Sequence, residues 1–114
     1  MTQMVERELK IGYEGIGSGV GEIWGATQAN FLVTGGPWPG WREVAVMLND
    51  PACEMLAEAL GVENDAEFRA NAARRIGEAA IRERYQRLGN IDAVVTVSGA
   101  DLESHPELID ALRG

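Results

Sequence analysis

"DPACEMLAEALGVENDAEFRANAARRIGEAAIRERYQRLG" (50–89) carries two helix patterns back to back, and strand-like segments lie on both sides of it. Asp50 followed by Pro51 is a helix start: an N-cap carboxylate ahead of a proline in the first helical position. Ala52, Met55, Leu56, Ala59 and Leu60 then fall on one stripe, and Gly61 supplies the stop. Asn64, with Glu67 three residues on as a capping-box partner, opens the second helix, which runs to Leu88 and ends at Gly89. Its inner stripe of Phe68, Ala72, Ile76 and Ala80 is mostly small, so a neighbour packs close against it.

Ahead of the helices the pattern has period two. Over 5–13, Val5, Leu9, Ile11 and Tyr13 share a face while Glu6, Glu8 and Lys10 point the other way, which predicts a half-buried strand. Segments 20–25 and 30–34 read as further strand pieces, and "TGGPWPGW" (34–41) as a loop, because its prolines and glycines break both regular structures. Residues 42–50 stay open between helix and strand. Beyond Gly89, "IDAVVTV" (91–97) is apolar at most positions and predicts an interior strand. Ser104 and Glu107 suggest a capping box opening a short last helix through Leu112. The order gives an α+β fold in a single domain, 1–114: N-terminal antiparallel hairpins forming a sheet, two helices, a further strand and a short C-terminal helix.

Composition narrows the class. Cys53 is the only cysteine, so no internal disulfide forms. No apolar run approaches a membrane span and no signal-peptide core is evident, so the expected location is the cytoplasm. A formal net charge of −8 disfavours a general nucleic-acid binder. Six of the ten basic residues nevertheless fall between Arg69 and Arg87, all of them arginine, and that cluster is where an anion would be welcomed.

The segment "GIGSGVGEIWG" (15–25) has glycine at every second position from Gly15 to Gly21. It fails as a dinucleotide fingerprint, since Val20 stands where the third glycine belongs, and as a Walker loop, since the chain's only lysine is Lys10. Either it is a hairpin turn with a bulge, or its bare backbone leaves room for a flat ligand with Trp24 as a wall. Trp24 and Trp41 are candidates to stack on a base. Asp65 with Arg69, Glu78 with Arg82, and Glu83 with Arg87 are i,i+4 pairs typical of a solvated face. Arg75 lacks such an acid and projects near Arg82, so these two are candidates for phosphate, though surface pairing explains the rest of the cluster. Asn90, after the helix stop, is a candidate to read a base edge or ribose hydroxyl. With a lone histidine, His105, and one cysteine, the chain offers no zinc site and no Cys-His nucleophile pair. No catalytic residue, metal or cofactor is expected.

The strand "RELKIGYEG", the segment "GSGVGEIWG" and the passage "ARRIGEAAIRERYQRLGNIDAVVTVS" resemble, over most of the chain, the small phage proteins that act as anti-Thoeris sponges. The resemblance implies an α+β protein that forms dimers or larger complexes in an infected bacterium. Such a protein binds a cyclic ADP-ribose signal and withholds it from an immune effector, using aromatic stacking and arginine–phosphate contacts. No binding residue is carried over from it.

The leading expectation is therefore a non-catalytic binder of a small cyclic nucleotide signal, countering anti-phage defence. The alternative is an acidic, anti-CRISPR-like inhibitor that docks on a host protein, on the strength of the net charge. A third is a self-associating structural phage protein.

Overall fold

The computed structural model describes residues 7–17, 25–36 and 38–113. Three long strands, β1 (Arg7–Ile16), β2 (Ala26–Gly36) and β3 (Trp38–Asn49), form an antiparallel meander. Two helices follow, α1 (Asp50–Leu60) and α2 (Ala66–Leu88). The chain then adds β4 (Val94–Val97) parallel to β3 at the far edge and finishes with α3 (Gly99–Ser104) and α4 (Glu107–Asp110). The sheet order is β1-β2-β3-β4, and the expected α+β architecture holds.

Period two explains the layering. In β2, buried Ala29, Phe31 and Val33 alternate with half-buried Gln28, Asn30 and Leu32. Val44, Val46 and Leu48 of β3 and Val95 and Val97 of β4 continue the same buried face. α1 lays Ala52, Cys53, Leu56 and Ala57 on that face, and α2 lays Ala72, Ala73, Ile76, Gly77, Ala80 and Ile81 there. The small stripe has the expected consequence: a Cβ at Gly77 would stand 2.8 Å from the Phe31 ring, so helix backbone rests almost on the sheet. The opposite face carries no helix among the described residues.

Several local expectations are revised. Segment 34–41 is not a loop. β2 runs to Gly36, β3 starts at Trp38, and Gly35 pairs with Trp38. Gly35 and Gly36 make this possible with φ of +96° and +54°, and a Cβ on Gly35 would collide with the Glu8 carbonyl. Residues 42–49 are strand, the β-branched Val44 and Val46 outweighing the helical spacing. The strand expected over 91–97 is shorter and lies at an edge, with Val94 57% exposed. The segment 20–25 lies largely outside the described residues.

The caps shift by one residue or more. Asn49 rather than Asp50 caps α1, accepting from the Ala52 N–H at 3.0 Å. Asp65 rather than Asn64 caps α2, accepting from the Phe68 N–H at 2.7 Å. The C-terminal capping box is Ser98 with Asp101, while Ser104 is the last residue of α3. The stops at Gly61 and Gly89, both left-handed, stand as read.

Candidate functional site

The two ends of the glycine segment meet at one place. The Gly17 N–H donates to the Gln28 carbonyl at 2.8 Å, and the Asp50 N–H donates to the Gly25 carbonyl at 2.9 Å. A Cβ on Gly17 would stand 2.8 Å from the Gln28 side-chain amide, which would have to move aside, and Gly25 has a φ of +65°. The left-handed backbone at Gly25 favours glycine there. The same two residues border a cleft of about 560 Å³, within the range of small-molecule sites.

Three elements furnish the cleft. β2 contributes Thr27 and Gln28 from its first residues, α1 contributes Asp50 and Glu54 one helical turn apart, and the connection before α2 and its first turn contribute Asn64 and Arg69. Arg69 is the cation of the site. Its Nη1 donates to the Asn64 carbonyl at 2.8 Å, and among the described residues no carboxylate lies within ion-pair distance of it. The expected pair with Asp65 does not form: Asp65 Oδ1 accepts from the Phe68 N–H, and Arg69 Nη1 turns to the Asn64 carbonyl instead. Below lies Cys53, fully buried, its thiol pushed up to about 11 by burial first and by the Asp50 charge second. The thiol is therefore neutral and unreactive at ordinary pH.

The residues singled out from sequence are dispersed. Arg75 and Arg82 do come together, along α2 in an open depression of about 400 Å³ with Glu78, Ala79 and Ala111. Arg82 is already engaged, 3.8 Å from Glu78 and donating to the Leu9 carbonyl at 3.4 Å. Trp41 is 61% exposed and alternates with Arg42 onto the sheet face away from the helices, opposite Arg75 and Arg82. Asn90 is exposed just past Gly89, about 20 Å along the helix axis from Arg75 at 1.5 Å per residue. Trp24 lies outside the described residues, adjacent in sequence to Gly25 of the cleft.

Sequence reasoning missed Arg69, Asn64, Thr27, Asp50 and Glu54 as neighbours. One signal was present: "ND" at 64–65 offers two N-cap candidates, and a capping role gives Asp65 a use other than pairing with Arg69. Among the described residues no His/Cys/Asp/Glu group is suited to a metal ion, and no helix is long and apolar enough to cross a membrane. No known protein family, curated protein or solved structure matches the chain.

Proposed function

We propose that this protein binds a small nucleotide-type signal in the cleft between the ends of the glycine segment, α1 and α2, and withholds it without turning it over. The observation that carries the reading is Arg69: a guanidinium with no carboxylate partner among the described residues, at the wall of a cleft of about 560 Å³. A phosphate meets the free N–H groups of Arg69, and the hydroxyls or exocyclic amines of the same ligand donate to Asp50 and Glu54. The mixed lining suits a guest that bears both an anion and donors, as nucleotides do. The resemblance to anti-Thoeris sponges points to cyclic ADP-ribose as the ligand class.

Isothermal titration against cyclic ADP-ribose isomers and cyclic dinucleotides tests this. Micromolar or tighter binding of one of them is expected, and the ligand recovered after denaturation should be chemically intact. No heat with any of them at micromolar protein ends the proposal, and recovery of a cleaved product replaces sequestration with catalysis.

A further inference from the structure

The sheet face turned away from the helices has a character of its own. Glu14 of β1 and Glu43 of β3 flank a depression of about 340 Å³ floored by Ala45 and rimmed by Ala93. The Gln28 amide donates to Asn30 Oδ1 within it at 2.7 Å, and both glutamates are exposed. Among the described residues neither carboxylate has an ion-pair partner. Beside the depression, Val94 pairs in register with Ala45 and is 57% exposed, and Trp41 further along β3 is 61% exposed. Apolar side chains of this size left in solvent next to unpaired acids are the ordinary parts of a protein-docking surface. Six of the chain's arginines, by contrast, belong to α2 on the other layer.

We infer that this sheet face, which carries no helix among the described residues, docks a basic protein surface, an arginine or lysine of the partner entering between Glu14 and Glu43 while aliphatic side chains cover Trp41 and Val94. Charge selects the occupant. A second copy seated depression to depression would bring Glu14 and Glu43 against their own kind, which disfavours self-association in that register despite the exposed Lys10 of β1. A basic partner finds complementary charge, and the small Ala45 floor admits the aliphatic stem of a long cationic side chain. The inference does not rest on the cleft at the helix–sheet junction, although Gln28 lines both.

The test is a backbone-amide NMR titration of the full chain with a short synthetic peptide of alternating arginine and leucine, using alternating glutamate and leucine as the control. Expected are shift changes centred on Glu14, Asn30, Glu43, Ala45 and Val94. E14Q/E43Q should bind the peptide about tenfold more weakly, and the matched pair E58Q/E63Q on the other layer should leave binding unchanged. Shifts spread over all the acidic residues, shifts centred on Asp50 and Glu54, or equal losses in both double variants would overturn the inference. So would sheet-face signals that move with protein concentration alone, which assign the face to a second copy. If E14Q/E43Q loses its circular-dichroism spectrum, Trp41→Ala at its exposed position replaces it, with the same tenfold weakening expected.

Discussion

Cys53 shows how one side chain reports on a whole fold. Its thiol is raised from 9.0 to about 11 in the folded chain, first by burial and then by Asp50. Between those values the unfolded chain releases a proton that the folded chain retains, so stability falls as pH rises through that window and is fully present below it. The loss amounts to about 2–3 kcal/mol by pH 11, and Cys53→Ala should flatten this alkaline slope in urea-midpoint measurements. A slope unchanged by the substitution would mean that the thiol is not the titrating group. Arg69 makes the second residue-scale prediction. If the cleft is the binding site, Arg69→Ala should weaken nucleotide binding by tenfold or more, about 1.4 kcal/mol, while Arg75→Ala leaves it unchanged. The reverse ranking would move the site to the depression beside Ala111. Arg75 and Arg82 were legible as a pair because i and i+7 share a helix face whatever surrounds the helix. That Arg69 has no carboxylate partner among the described residues was not, because its guanidinium bonds the Asn64 carbonyl rather than the acid four residues before it.

At the scale of the element, α2 depends on a missing side chain. Alanine would favour the helix over glycine at Gly77 by about 1 kcal/mol in isolation. The added methyl would nevertheless meet the buried Phe31 ring at 2.8 Å and Val46 at 3.3 Å. Overpacking of this kind costs about 1–3 kcal/mol, so Gly77→Ala should lower the melting temperature despite its better propensity. A rise would show that sheet and helix have slack between them. The C-terminal capping box offers a smaller effect. Ser98→Ala removes the acceptor for the Asp101 N–H at 3.2 Å and should cost about 1 kcal/mol, read in the same melting experiment. Helix extents and their glycine stops were legible because spacing and left-handed caps are local properties. Strand extents were not: the pairing of Gly35 with Trp38 carries β2 and β3 through a segment whose composition reads as loop.

For the whole molecule, the sheet divides the chain into unlike halves. One layer holds the helices and the arginines of α2; the other presents Glu14, Glu43 and the exposed Trp41 and Val94. The two sheet edges are each touched by a neighbouring arginine of α2, Arg82 at the Leu9 carbonyl of β1 and Arg84 at the Thr96 carbonyl of β4, the latter at 3.2 Å. Natural sheets protect edges in this manner from pairing with other chains. Amide hydrogen exchange should be slowest in β2 and β3, which are paired on both sides, and faster in β4 and the short terminal helices. Uniform protection would show instead that the domain opens only as one unit. The sequence by itself determined the class of fold, both long helices and the small stripe of α2, because periodicity and cap chemistry act over a few residues. Only the tertiary structure decided that β4 lies at an edge, that Trp41 faces away from Arg75 and Arg82, and that Gly17, Gly25, Asp50 and Arg69 converge. Those relations depend on strand order and on which sheet face the helices cover, and both are set by packing between segments far apart in the chain.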